Sequence, residues 1–245
     1  MYTSGTTGLP KGVVGSTGRE LLIGHVVAKH LGLKKEDRMY TCMPLYHGAA
    51  HALCTTPVIS AGCTIVLGRK FSHRTFWPEV ARSKATIIQY VGELCRYLFN
   101  GPPNEFERKH SVRMAWGNGL RPDIWEPFRE RFGIPVIHEL YAATDGLGST
   151  FNKNSGPFTA HALGLRGSLW NWRFGGDEVR VKMDVDTEDI LRDKNGWAVK
   201  CGVNEPGQVL HRLSEDMIAG VPGYYKNNKA TEGRRIRDVF QKGDW

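Results

Sequence analysis

An α/β fold is what this sequence predicts: mainly parallel sheets flanked by helices, with an antiparallel β subdomain toward the C-terminus. Three observations carry that expectation. Short apolar runs alternate with helically spaced segments between about residues 19 and 140. The stretches richest in glycine, hydroxyl, aromatic and titratable residues follow predicted strands, which is where open α/β sheets bind ligands. Past about residue 160 the texture changes to two-residue alternation broken by turns.

Taken in order, Ser16 or Thr17 can cap a helix from about Arg19 to Leu33, and Gly32 is a plausible stop. Met39 to Cys42 reads as a strand leading into Pro44–Gly48. His51 to Ile59 is apolar and expected helical, with Pro57 near its end. Cys63 to Leu67 has the composition of a buried strand. Ser72 can cap a helix reaching Ser83. Thr86–Val91 is expected as a strand and Leu94–Phe99 as a short helix. Then come a strand at Val112–Trp116, a helix at Pro122–Phe132 and a strand at Pro135–Leu140. Strands alternating with helices imply βαβ units. Beyond them, Glu178–Asp184 alternates, Asn195-Gly196 signals a turn before Trp197–Lys200, and Val209–Leu213 is a further strand candidate. Lys229–Phe240 is expected helical. The division expected is an α/β core over 1–160 and a β-rich part over 161–245.

Bulk properties exclude several classes. The chain has 245 residues, 40% hydrophobic and 24% charged, which is ordinary for a globular protein. No apolar run approaches the roughly 20 residues of a membrane helix, and the polar first residues do not resemble a secretory signal. A formal net charge of +8 suits polyphosphate ligands or an anionic membrane surface. It comes with no nucleic-acid-binding signature, so no nucleic-acid partner is expected. The five cysteines form no Cys-x-x-Cys pair and no glycosylation sequon occurs. Reduced thiols in a reducing compartment are expected.

The chemistry starts at the first residues, Tyr2–Gly12, YTSGTTGLPKG. Gly5 and Gly8 let backbone N–H groups close on an anion. Thr3, Ser4, Thr6 and Thr7 add hydroxyl donors, and Lys11 adds a positive charge set off by Pro10. This is not a Walker A loop, because Lys11 is followed by Gly12 instead of Ser or Thr. Gly117-Asn118-Gly119-Leu120-Arg121 could be an ordinary tight turn or a place where backbone approaches a flat base. His47 and His51 are four apart, but no third ligand accompanies them; a packed, hydrogen-bonded His51 is the expectation. Asp184 to Asp189 mimics a calcium loop with its glycine and terminal glutamate misplaced, so a solvated hairpin is expected.

The segment Tyr2–Gly12 resembles the phosphate loop of the adenylate-forming superfamily, which includes acyl-CoA synthetases. Tyr141-Ala142-Ala143-Thr144-Asp145 resembles that family's Tyr-Gly-x-Thr-Glu motif, with Ala142 in place of glycine and Asp145 in place of glutamate. Pro44–Gly48 (PLYHG) resembles a further motif of the family. Thr86–Pro103 and Val112–Pro135 look like the fatty acid transport protein, or very-long-chain acyl-CoA synthetase, branch. The resemblance implies ATP and Mg²⁺ as cofactors and CoA as co-substrate. The nucleotide would be bound by Thr3, Ser4, Gly5, Thr6, Thr7, Gly8, Lys11, Gly117, Asn118, Gly119, Tyr141, Ala142 and Thr144. Lys11, His47, Thr144 and Asp145 would serve catalysis, with Asp145 holding the metal. Aspartate is one methylene shorter than glutamate, and Mg²⁺ tolerates little deviation from octahedral geometry, so Asp145 is expected to bind through a water or to support a slower reaction.

The reaction implied is activation of a long- or very-long-chain fatty acid to acyl-AMP and then to acyl-CoA. Fatty acid uptake, or a non-catalytic remnant, is the alternative. The same resemblance implies a fragment: part of a large N-terminal domain, without the C-terminal lid domain, and impaired alone. For the full-length protein it implies the cytosolic face of a membrane (endoplasmic reticulum, peroxisome or plasma membrane). Neither acyl chain length nor oligomeric state can be read from the sequence.

Overall fold

The structure is a computed structural model that describes residues 1–3, 9–214, 221 and 223–244. Two compact units are present. The first comprises Met1–Thr144 with Ser149–Leu165, and the second Asp145–Gly148 with Arg166–Trp245. The texture change at 160 thus lies five residues before the division at Leu165, and the short segment Asp145–Gly148 belongs with the second unit.

In chain order the first unit opens with β1 (Tyr2–Thr3) and β2 (Lys11–Gly12). Helix α1 (Thr17–Leu31) follows, capped by the Ser16 hydroxyl accepting the Arg19 N–H and closed by Gly32 at φ 59°. Next are β3 (Arg38–Thr41), the short α2 (Gly48–Ala50), a π-helical turn (His51–Thr55), α3 (Thr56–Ala61) and β4 (Thr64–Leu67). Then come α4 (Phe76–Arg82), β5 (Ile87–Val91), α5 (Gly92–Asn100), β6 (Met114–Asn118), α6 (Pro122–Phe132), β7 (Ile137–Ala142) and β8 (Ser149–Asn154).

A six-stranded sheet in the order β4-β3-β5-β6-β7-β8 organises this unit. All its pairings are parallel except β7 with β8. Both faces are covered, as parallel sheets require. Ile88, Tyr90 and Ala115 face a core built with Trp77 of α4, Leu94 of α5 and Trp125, Phe128 and Phe132 of α6. Their strand neighbours Ile87, Met114 and Trp116 face the opposite core, with Val27 and Leu31 of α1 and Val58 of α3. Adjacent residues on opposite faces are the period-two signature of a strand buried on both sides.

The segment expected as one helix from His51 to Ile59 is a π turn followed by α3, with Pro57 at the start of α3. Pro57 has no N–H to bond the carbonyl four residues back, which is that of Leu53. The Leu53 carbonyl instead accepts the Trp116 indole N–H at 2.7 Å. The edge strand β8 was not foreseen. Its run STFNKN pairs with β7 on one side, and on the other the Phe151 carbonyl accepts the Leu165 N–H at 3.1 Å.

The second unit holds α7 (Ser168–Phe174), β9 (Glu178–Val181), antiparallel to β10 (Gln208–His211), and α8 (Asn228–Glu232). Val181, Ala198, Leu210 and Val239 form its small core. The helix expected over 229–240 stops at Glu232 with Gly233 as its cap, and the chain beyond is irregular, with Asp238 at φ 55°. The Asp184 run is a solvated turn, with the Asp184 carboxylate accepting the N–H groups of Asp186 and Thr187 at 2.9 Å each. Among the described residues no helix is long and apolar enough to cross a membrane.

One ion pair, with its carboxylate buried and its guanidinium 41% exposed, ties the amino ends of the strands together. Asp37 accepts Arg113 Nε at 3.0 Å and Nη2 at 2.7 Å, the Thr86 hydroxyl at 2.7 Å and the Lys34 N–H at 2.8 Å. Burial alone would raise this carboxyl's pKa, but these donors and the Arg113 charge outweigh it and hold it below the usual carboxylate value. The contribution is therefore complete above about pH 4 and is lost as pH falls through the depressed native value. Asp37→Ala is expected to cost about 2–3 kcal/mol at neutral pH and to flatten the acid limb of the stability profile. Urea denaturation at stepped pH checks both.

Candidate functional site at the carboxyl edge of the sheet

The parallel strands deliver their following loops to one edge of the first unit. β1 and β2 pair antiparallel, so Thr3 stands directly opposite Lys11. The hairpin is anchored by the Val13 N–H donating to the Met1 carbonyl at 2.8 Å, with Val13 itself buried. Ser4, Gly5, Thr6, Thr7 and Gly8 lie outside the described residues. The segment after β3 runs beside this hairpin, because Tyr2 forms a parallel bridge with His47. His47 caps α2: its Nδ1 accepts the Ala49 N–H at 3.1 Å, which places the proton of the neutral ring on Nε2. Thr144 closes the group, since a Cβ built on Gly48 would stand 2.9 Å from its hydroxyl. Lys11, Thr3, His47 and Thr144 are thus brought to one place by three separate elements. His51 turns away and pairs with Glu20 of α1 at 3.3 Å. Among the described residues no group of three or more His, Cys, Asp or Glu could hold a metal.

Next along the edge is the segment 117–121. Gly117 and Asn118 are the last residues of β6, not part of the loop. A Cβ on Gly117 would meet the Tyr90 carbonyl oxygen at 2.2 Å, so its missing side chain accommodates β5. The turn proper is at Gly119, with φ 78°, a conformation that favours glycine. It is packed so closely that a Cβ on Gly92 would lie 1.7 Å from the Gly119 carbonyl oxygen. Tyr141 and Ala142 end β7, and Tyr141 is 58% exposed, leaving a ring face available for stacking.

Sequence reasoning passed over Glu139. It is wholly buried in β7, two residues before Tyr141. Its Oε1 accepts the backbone N–H groups of Gly119 and, at 3.2 Å, Leu120. Its Oε2 accepts the Tyr90 hydroxyl. Burial drives its pKa up to about 7 despite these three donors, each of which lowers it. An acid in the middle of an apolar strand was the available signal, since such a group is rarely buried without partners.

Asp145 follows Thr144 in the chain and belongs to the second unit. There its carboxylate accepts the Tyr224 hydroxyl and pairs with Arg234 Nη1 at 2.9 Å. The same Nη1 donates to the Asp145 carbonyl at 2.5 Å. Burial, followed by the bond to Asp145, raises the Tyr224 phenol's pKa.

A parallel sheet covered on both faces, with hydroxyls, an ammonium group, an imidazole and an open aromatic ring gathered at its carboxyl edge, is built to take a ligand there. The family of AMP-binding enzymes matches residues 1–202, and the chain belongs to it. A very long-chain fatty acid transport protein of Cochliobolus heterostrophus is 66% identical over 244 residues, covering 100% of this chain and 38% of its own length. The medium/long-chain-fatty-acid–CoA ligase FadD6 of Mycobacterium tuberculosis is 38% identical over 245 residues, covering 100% of this chain and 39% of its own. This chain therefore spans about two fifths of the length of these relatives. Among solved structures, O-succinylbenzoate coenzyme A synthetase of Bacillus subtilis, in complex with ATP and magnesium, shares the fold. Its TM-score is 0.64 at 22% identity, covering 97% of this chain and 45% of that one.

Proposed function

We propose that this chain forms the nucleotide-handling part of an ATP-dependent ligase. The ligase converts long- or very-long-chain fatty acids to acyl-AMP and then to acyl-CoA. The observation that carries the reading is the convergence of Thr3 and Lys11, His47 and Thr144 on one edge. The names of the two relatives support the substrate class.

A carboxylate is a poor acyl donor, and adenylation gives it a good leaving group. A fatty carboxylate oxygen attacks the α-phosphorus of ATP and the bond to pyrophosphate breaks. The CoA sulfur then attacks the acyl carbon, AMP departs with the bonding electrons, and the thiol proton passes to solvent. Nothing in the first step needs a general base, so positioning and charge neutralisation account for most of the catalysis. The Lys11 ammonium and the loop hydroxyls stabilise charge on the leaving pyrophosphate. Thr144 orients the nucleotide, Tyr141 stacks on its base, and His47 directs Nε2–H beside the acyl group.

Asp145 suits a magnesium ion, since Mg²⁺ commonly takes one or two carboxylates together with substrate phosphates. When bound, such an ion neutralises phosphate charge. Asp145 is held meanwhile by Arg234 and Tyr224, so a metal has to compete with a guanidinium.

Uptake of fatty acid by trapping it as the CoA ester is a second reading, favoured by the name of the Cochliobolus relative. We also place the protein at the cytosolic face of a membrane. The formal net charge of +8 supports this. So does α7, where Leu169 is 75% and Trp172 80% exposed beside Arg173.

Three outcomes are expected. Calorimetry should detect magnesium-dependent ATP binding that weakens at least tenfold in Lys11→Ala; equal binding in the variant overturns the reading. Mn²⁺ titrated in the presence of ATP, followed by electron paramagnetic resonance, should bind several-fold more tightly in Arg234→Ala and at least tenfold more weakly in Asp145→Ala. No change in either removes Asp145 as the metal ligand. Anionic vesicles should sediment the chain, and Trp172→Ala should release at least half of it; no sedimentation by the unaltered chain refutes the surface placement.

A further inference from the structure

We infer that Glu139 is a positioning residue that sets the nucleotide-binding turn at Gly119 and holds it more tightly while its carboxylate is charged than when it is neutral. Its effect on nucleotide binding rests on the function proposed above; its hold on the turn does not.

The geometry has three parts. First, one carboxylate reaches three structural elements. It sits in β7 two residues before Tyr141, binds the amides of Gly119 and Leu120 after β6, and binds the hydroxyl of Tyr90 on β5. In the sheet, Gly117 stands opposite both Tyr90 and Glu139, so the carboxylate spans the three central strands just below the turn. Second, the turn has little slack on the Gly92 side, because the Gly119 carbonyl lies so close to Gly92 that a Cβ there would meet its oxygen at 1.7 Å. A small change in the two amide bonds therefore shifts the Gly119 carbonyl instead of being absorbed. Third, the arrangement has an alternative partner for the proton that would disturb it. The Tyr90 hydroxyl lies 3.3 Å from the His138 carbonyl as well as against Glu139. When Glu139 takes up a proton on Oε2, that O–H can donate to the Tyr90 oxygen while the Tyr90 O–H turns to the His138 carbonyl. Oε1 remains an acceptor for the two amides, but a neutral one, and hydrogen bonds to a neutral acceptor are roughly half as strong as those to a charged one.

The groups that face this carboxyl are few. Tyr90 comes from β5 and Cys95 from α5; burial raises the pKa of both well above their usual values, so neither exchanges a proton near neutrality. The turn after β6 contributes amides only. The neighbouring His138 points to the opposite face, its ring 5.2 Å from that of His30. Glu139, raised by burial to about 7, is the member of this group that titrates in the physiological range.

Two measurements separate the turn from the ligand. Hydrogen exchange of the Gly119 and Leu120 amides in the nucleotide-free chain, expressed as protection factors at pH 6 and pH 8, should show at least fivefold greater protection at pH 8. Glu139→Gln should abolish that difference and leave protection at the low-pH level. In Tyr90→Phe, which loses a donor that favours the charged form, the change should move to higher pH. ATP affinity by calorimetry over the same range should follow protection in the unaltered chain. In Glu139→Gln it should vary only as ATP's own ionisation dictates. Protection that does not depend on pH, or a dependence that survives in Glu139→Gln with no displacement in Tyr90→Phe, overturns the inference. If protection changes as expected but ATP fails to bind at any pH, the proposed function falls and the hold on the turn stands.

Discussion

Parallel pairing of β3, β5, β6 and β7 is the constraint from which the site follows. Strands that run the same way put all their carboxyl ends on one edge, and the loops that follow must leave from there. Burial on both faces fixes the register. A one-residue slip of β5 would exchange Ile87 with Ile88, moving each into the other core. It would also break the buried bond from the Thr41 hydroxyl to Gln89 Oε1, which joins β3 to β5 at 2.6 Å. Hydrophobic packing thereby determines where His47, Gly119 and Tyr141 emerge, although none of those three belongs to either core.

Between β3 and β4 the chain departs from regular helix, and the departure bears on the site. Pro57 leaves the Leu53 carbonyl without its usual helical donor, and the Trp116 indole supplies one from across the second core. That bond joins the turn behind His47 to the strand ending at Gly117 and Asn118. Two loops reached from different strands therefore share one rigid wall. The extra residue in the π turn is absorbed at a helix start, where backbone groups already need outside partners.

The parts of the fold that were legible in the sequence were those that satisfy themselves locally. Ser16 and Gly32 bracket α1 with side-chain and backbone chemistry visible in a four-residue window. The apolar run at β5 reads as a buried strand and is one, whereas the run at β4, expected to be buried as well, lies at an edge of the sheet with Thr64 and Leu67 exposed. What was not legible depends on partners far along the chain. β8 is polar because its buried Asn152 and Asn154 donate to carbonyls of the segment that follows, Thr159 and Ala162 for Asn152 and Gly156 and Phe158 for Asn154. Its antiparallel pairing with β7 spans residues 143–148, of which Asp145–Gly148 belong to the second unit. Helix α7 buries none of its residues, so no apolar stripe announces it. The candidate site divides in the same way. Lys11, His47, Thr144 and Tyr141 stand in recognisable motifs, whereas Glu139 gains its meaning from a contact 20 residues away.

A buried carboxylate at such a position calls for a physical reason, because taking a charge out of water costs several kcal/mol. The three groups around it are all donors: two amides that cannot rotate and a phenol hydroxyl. Glutamine would present one oxygen and one NH₂ to them, and the NH₂ would face a donor unless the phenol turned away. A carboxylate accepts at both oxygens and has no wrong orientation. Hydrogen bonds to a charged acceptor contribute about 1.5–3 kcal/mol each, so three of them offset much of the cost of burial but not all of it, and the pKa stays raised. The same balance explains the liability. Burial and the three donors oppose each other in setting the acidity of Glu139, and the carboxyl is left poised near neutrality. A site that requires one fixed turn geometry gains orientation from a charged clamp and, for the same reason, becomes sensitive to protons.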